Sequence, residues 1–228
     1  MNNIKVQIYG IRSIEDARMV IGLGAHHIGV SYGKIKRTPG QLTCEQAKAI
    51  FANVQPQAVK VGLTVSVDLA EISADLAVVV PDVLHLSGDI DGLKPEQVRE
   101  LRRRFPGMKI MQAIPVSGSA ALAYIKSYES VTDYFLLDTK ADGASDIGAT
   151  GLTHDWELDR AIVQSTKVPC IIAGGLDANN VARAIRASRP YGVDSFSHTN
   201  FENPDLVKGV KDPVKVKAFI DAALNTVL

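Results

Sequence analysis

Asp138 ends the run Tyr134-Phe-Leu-Leu-Asp-Thr. A carboxylate directly after a buried apolar strand meets a partly desolvated space, where its proton affinity rises toward that of an acid catalyst. The plainer use of such an aspartate is to cap a loop. Gly174 and Gly175 close a second apolar run, Ile171-Ile-Ala-Gly-Gly-Leu-Asp, just before a helix start. Glycine lets backbone approach a ligand closely, and a following helix N-terminus offers free N–H groups to an anion. The same pair would also serve as a tight strand–helix turn. Arg37 lies in the basic stretch Gly33-Lys-Ile-Lys-Arg-Thr-Pro, where a guanidinium can hold a carboxylate through paired hydrogen bonds or simply face solvent. The histidines are 26, 27, 85, 154 and 198. His85 and His198 are expected near the same mouth as Asp138, and His26-His27 at the opposite end. No His-x-His or His-x-x-x-His spacing appears, so neither a metal nor an organic cofactor is expected.

These residues need elements to bring them together, and the chain supplies a regular alternation. Short apolar runs at Val6–Tyr9, His27–Ser31, Val59–Val65, Val83–Leu86, Lys109–Ala113, Tyr134–Leu137, Pro169–Ala173 and Gly192–Phe196 read as buried parallel strands, covered on both faces. Helical patterns lie between them. Ser13, Thr43, Lys94-Pro95 and Asp177 open four with capping residues or an early proline. The stretches 68–78, 117–128, 154–165 and 214–227 complete the set. Eight strand–helix units in 228 residues fit a single-domain (β/α)8 TIM barrel spanning residues 1–228. The competing doubly wound sheet usually carries Gly-x-Gly-x-x-Gly after strand one, whereas Gly10-Ile-Arg-Ser13 stands there. In a barrel, the carboxyl ends of the strands build the active site, and the loops after strands seven and eight often bind phosphate.

Composition narrows the function. Lys+Arg and Asp+Glu each number 25, so the net charge is zero, and no basic surplus points to nucleic acid. Hydrophobic content is 46% and mean hydropathy +0.07. No apolar stretch approaches the ~20 residues that span a bilayer. Cys44 and Cys170 are far apart, without Cys-x-x-Cys spacing. With no signal segment at the start, the expected setting is the reduced cytoplasm.

Several segments together resemble phosphoribosylanthranilate isomerases over roughly residues 4 to 222. The opening strand Lys5-Val-Gln-Ile-Tyr-Gly-Ile is similar to the family's Lys-Ile-Cys-Gly-Ile. Gly24-Ala-His-His-Ile-Gly29, Lys36-Arg37, Val61-Gly-Leu-Thr-Val65 and Leu136-Leu-Asp-Thr139 follow in order. So do Gly148-Ala-Thr-Gly151 with His154-Asp-Trp156, Ala173-Gly-Gly-Leu176, Asn180-Val181, Gly192-Val-Asp194 and Lys211-Asp212. The resemblance implies an Amadori rearrangement, in which an amino-aldose phosphate opens and a proton leaves C2 to give an amino-ketose. It makes Asp138 the general acid and Arg37 the partner of a substrate carboxylate. Gly148 and Gly151 fall on a substrate loop. Gly174, Gly175, Ser197 and His198 fall on the phosphate site. The expected ligand is a phosphorylated sugar, the expected assembly a monomer or homodimer.

The departures fall at functional positions. Tyr9 stands where the family has its general-base cysteine. An unperturbed phenol near pKa 10 is ionised about thirtyfold less often at neutral pH than a thiol near ~8.5, a penalty of about 2 kcal/mol. His85-Leu-Ser-Gly88 stands for Gln-Leu-His-Gly, and Asp194-Ser-Phe-Ser-His-Thr-Asn200 for Asp-Val-Ser-Ser-Gly-Val-Glu. Three readings follow. One is an aldose–ketose isomerase in which Tyr9, His85 or His198 replaces the lost base. The others are a phosphosugar epimerase or aldolase-type enzyme, and a non-catalytic phosphosugar-binding relative.

Overall fold

The protein is described here by a computed structural model covering residues 4–36, 40–54, 56, 58–116, 118, 120–138, 155–202 and 209–228. Arg37, Gly148 and Gly151 lie outside these residues. Eight parallel strands close in sequence order: β1 (Lys5–Ile8), β2 (His27–Ser31), β3 (Val59–Thr64), β4 (Val83–Leu86), β5 (Lys109–Pro115), β6 (Tyr134–Asp138), β7 (Cys170–Ile172) and β8 (Gly192–Ser195). The helices between and after them are α1 (Ile14–Gly22), α2 (Cys44–Ala52), α3 (Leu69–Leu76), α4 (Pro95–Arg104), α5 (Ala120–Tyr128), α6 (Trp156–Ser165), α7 (Val181–Ser188) and α8 (Pro213–Leu224). The expected (β/α)8 barrel is therefore the observed fold.

Helix starts follow the capping signals. Ser13 accepts from the Asp16 N–H at 3.0 Å, and Thr43 and Gln46 exchange both bonds of a capping box. The α7 start differs from expectation, beginning at Val181 rather than near Asp177. Asp177 accepts from the N–H groups of Asn179 (2.7 Å) and Asn180 (3.0 Å), while Asn180 Oδ1 accepts from Asp177 N–H (2.9 Å). The two side chains take up the donors of a separate turn, and the helix begins one turn later.

The core has two parts. Ile8, Val30, Leu84, Ile114, Phe135 and Val193, with their neighbours, pack outward between sheet and helices. Tyr9, Val61, Val83, Met111, Tyr134, Leu136, Ile171 and Ala173 fill the barrel itself. Alternate residues of a strand face opposite sides, so Gln7, His85, Asp138 and Asp194 share the inner face with that second set. His26 and His27 lie at the amino ends of the strands, as expected. His85 does not lie at the mouth: it is the third residue of β4, beside Leu63 and Met111 on the neighbouring strands and only 1% exposed.

Position 9 is accommodated by a missing side chain opposite. A Cβ on Gly29 would sit 2.2–2.6 Å from three ring carbons of Tyr9, closer than any real packing contact. Gly29→Ala should destabilise the fold by about 1–3 kcal/mol through overpacking, read from urea denaturation. Adding Tyr9→Cys to that variant should remove most of the penalty. Additive losses in the double variant would show that the two positions do not share this space.

Candidate active site

The carboxyl ends of β6, β7 and β8 enclose one cleft. Asp138, Ala173, Gly174, Gly175, Asp194, Ser195, Phe196, Ser197 and His198 line it. Asp138 is the last residue of β6 and 8% exposed; Asp194, on β8, is 6% exposed. Between them β7 contributes only Ala173, whose small side chain leaves the two carboxyls facing one space. Gly174 and Gly175 turn with φ of 77° and 61°, a conformation that side chains other than glycine adopt reluctantly. Asn180 Nδ2 donates to the Gly175 carbonyl at 2.9 Å and holds that turn. Across the cleft, the chain leaves β8 through a short 3-10 turn, Ser197–Thr199, which presents Ser197 and His198. Sequence reasoning thus brings together Asp138, Gly174, Gly175, Ser197 and His198.

It missed Asp194. Burial pushes the Asp194 carboxyl well above the usual carboxylate range, the Asp138 charge adds to the shift, and the Gln7 amide and Lys211 ammonium oppose it. Its Oδ1 is buried without a hydrogen-bond partner among the described residues. Two carboxyls facing one cleft cannot both ionise freely, and Asp194 binds its proton more tightly than an ordinary carboxyl does. The signal was present in the sequence: Gly192-Val-Asp-Ser ends an apolar strand in a carboxylate, just as Phe135-Leu-Leu-Asp does.

Tyr9 and His85 lie below this cleft, and neither lines it. The Tyr9 hydroxyl is 2.6 Å from His85 Nδ1. Burial lowers the imidazole pKa to about 3, so the ring is neutral. The phenol, the better donor of the two, is then assigned as donating to Nδ1, which leaves the ring proton on Nε2. That atom has no partner among the described residues. Burial, then the charges of Asp194 and Asp138, raise the Tyr9 pKa well above its ordinary value. Both shifts oppose a phenolate–imidazolium pair. The Tyr9 hydroxyl is thus satisfied by the His85 ring.

Farther down the barrel, His27 donates from Nδ1 to Gln7 Oε1 at 3.1 Å. Gln7 in turn is paired in register with Asp194 on the adjacent strand. Tyr9, His85 and Asp194 therefore belong to one buried polar interior. Among the described residues no cluster of His, Cys, Asp and Glu could hold a metal ion, and no helix is long and apolar enough to cross a membrane.

A parallel eight-stranded barrel whose last strands enclose two carboxyls, a glycine turn and a 3-10 turn is a TIM barrel with a polar cleft at the carboxyl ends of its strands. Residues 6–222 match the family described as N-(5'phosphoribosyl)anthranilate (PRA) isomerase, and the chain belongs to that family. It is 34% identical over 222 residues to N-(5'-phosphoribosyl)anthranilate isomerase 2 of Methanosarcina mazei, covering 97% of this chain and 95% of that one. The crystal structure of phosphoribosyl anthranilate isomerase from Thermotoga maritima superposes with a TM-score of 0.80 at 26% identity, covering 97% of this chain and 98% of that one. A further crystal structure holds such an enzyme in complex with reduced 1-(o-carboxyphenylamino)-1-deoxyribulose 5-phosphate; it is 25% identical, with a TM-score of 0.77 and coverage of 97% and 98%.

The buried histidines set a pH dependence. His85 and His27 have folded pKa values of about 3 and about 4, both lowered mainly by burial, against about 6.5 unfolded. Between these limits the unfolded chain holds protons that the folded protein lacks. Stability therefore falls on acidification from pH 6.5 toward 4, by about 1.4 kcal/mol per pH unit for each histidine. Asp194, whose folded pKa is raised, acts in the opposite sense and offsets part of this loss. Urea midpoints between pH 6.5 and 4.5 should thus decline, and Asp194→Asn should steepen the decline. A flat profile in both proteins would mean that the imidazoles are not buried as neutral rings.

Proposed function

We propose that this protein is an aldose–ketose isomerase of the Amadori type acting on a phosphorylated sugar amine, with the C2 base changed from that of its relatives. Asp138 and Asp194, facing one cleft beside the glycine turn and the Ser197–His198 turn, are the observation that carries this reading. In the reaction, the aldosylamine ring opens as an acid protonates the ring oxygen. A base then takes the proton from C2, and the resulting enol returns a proton to C1 to give the amino-ketose. No atom is gained or lost. The reaction needs one acid and one base within reach of neighbouring atoms, which two carboxyls facing one cleft can supply.

We assign Asp138 the ring-opening proton and Asp194 the transfer at C2, the one proton that the pair shares passing from Asp194 to Asp138 at ring opening and leaving the Asp194 carboxylate free to accept from C2. Asp194 lies on the strand next to β1, whose Tyr9 N–H donates to the Ser195 carbonyl at 3.0 Å. The base moves one strand along the rim rather than being lost. Gly174, Gly175, Ser197 and His198 hold the phosphate in this reading. Arg37 meets a substrate carboxylate, and Gly148 and Gly151 contact the substrate. A cytoplasmic setting accords with two cysteines, Cys44 and Cys170, that are both free and buried. A second reading keeps Tyr9 as the base, passing its proton to His85; the 2.6 Å hydrogen bond favours it, and the lowered imidazole pKa opposes it.

Turnover of N-(5'-phosphoribosyl)anthranilate and of an analogue without the carboxylate, followed by fluorescence, tests these assignments. Asp138→Asn and Asp194→Asn should each lower kcat by about 10²–10⁴-fold, whereas Tyr9→Phe should change it less than tenfold. A wild-type rate in Asp194→Asn, with a large loss in Tyr9→Phe, would reverse the assignment in favour of the tyrosine. Binding of these compounds without any turnover would leave the non-catalytic reading standing.

A further inference from the structure

Lys211 is a lysine only 2% exposed, and neither the cleft nor the proton transfers above make direct use of it. Its ammonium donates to the Phe196 carbonyl (2.9 Å), Thr199 Oγ1 (3.0 Å) and Asn200 Oδ1 (2.7 Å). All three donors are thus satisfied within five consecutive residues. Nζ also lies 5.1 Å from the centre of the Phe196 ring, within reach of a cation–π contact. Backbone bonds bind the same two segments together: Phe201 N–H to Val210 O at 3.1 Å, and Asp212 N–H to Thr199 O at 3.0 Å.

The segment so gripped is the 3-10 turn that presents Ser197 and His198 to the cleft. Phe196, the residue before it, is held from the other side as well. A Cβ on Gly10 would fall 2.1 Å from the Phe196 ring, so an edge of that ring packs against the β1–α1 turn. None of the three groups that Lys211 contacts is a carboxylate. The charges of Asp194 and Asp16 act on it from a distance, yet burial dominates and lowers its pKa to about 7. A buried ammonium bound only to neutral oxygens is a costly arrangement for mere packing, which a methionine would fill without that cost.

We propose that Lys211 is a positioning residue for the anion site, fixing the Phe196–Asn200 turn so that Ser197 and His198 meet a phosphate. This rests on the reading of the cleft as a phosphate site, and it adds to that reading the residue that shapes one wall. Lys211 acts through the turn and does not touch the reacting atoms.

Inorganic phosphate titrated into the full chain, followed by amide NMR shifts, supplies the test. In the wild type the amides of Gly174, Gly175 and Ser197 should move together. In Lys211→Met the free-state resonances of Ser197 and His198 should shift, those of Gly174 and Gly175 should stay, and phosphate should bind at least tenfold more weakly at a temperature where the variant is fully folded. A merely structural lysine would lower the melting temperature and leave that affinity alone, so affinity within twofold of wild type overturns the proposal. Should Lys211→Met fail to fold, the double variant Thr199→Val/Asn200→Ala keeps the lysine and removes two of its acceptors. Binding at least threefold weaker supports the proposal there, and unchanged binding overturns it. Absence of phosphate binding in the wild type would instead sink the underlying reading of the cleft.

Discussion

Strand β8 lies along β1 through four residue pairs, Lys5↔Gly192, Val6↔Val193, Gln7↔Asp194 and Ile8↔Ser195, and this seam closes a sheet that would otherwise carry two open edges. Closure removes unpaired backbone groups, but it does more than that here. It draws the carboxylate of β8 beside Gln7, places the chain beyond Ser195 against the β1–α1 turn, and leaves the Phe196 ring filling the space above Gly10. The cleft exists because this seam brings the last strand of the chain against the first.

The barrel interior is unusually polar for a packed core. Gln7, His27, His85, Asp194 and Asp138 share it with Tyr9 and a set of apolar side chains. Desolvation settles how such groups behave: it keeps the imidazoles neutral, raises the carboxyl of Asp194, and makes Tyr9 a donor rather than an anion. Each of these shifts moves a group toward its uncharged form. The Lys211 ammonium is shifted the same way and keeps three neutral oxygens around it.

Bulky and polar side chains near the cleft are grouped in contacting sets. Tyr9 and His85 touch each other, and Gly29 leaves the room that the larger ring needs. Phe196, His198 and Asn200 lie on the single turn held by Lys211, and Asn200 supplies its shortest hydrogen bond. The Tyr9 ring fits because Gly29 has no side chain, and its buried hydroxyl is paired by the His85 imidazole rather than left unsatisfied.

Much of this was legible in order along the chain. Apolar runs of strand length, caps such as Ser13 and Thr43, and carboxylates or glycines at strand ends fixed eight units, their sequence and which ends carry chemistry, because local periodicity and capping depend on near neighbours. Asp138 and the paired glycines could be picked out on that ground alone. Tertiary structure alone decided which of those ends meet. Whether Asp194 shares a cleft with Asp138, whether His85 stands at the mouth or in the interior, and that Lys211 grips a turn eleven to fifteen residues away, depend on strand register and barrel closure. Those are set by side chains distant in sequence packing together, and the proton affinities follow only once that packing has excluded water.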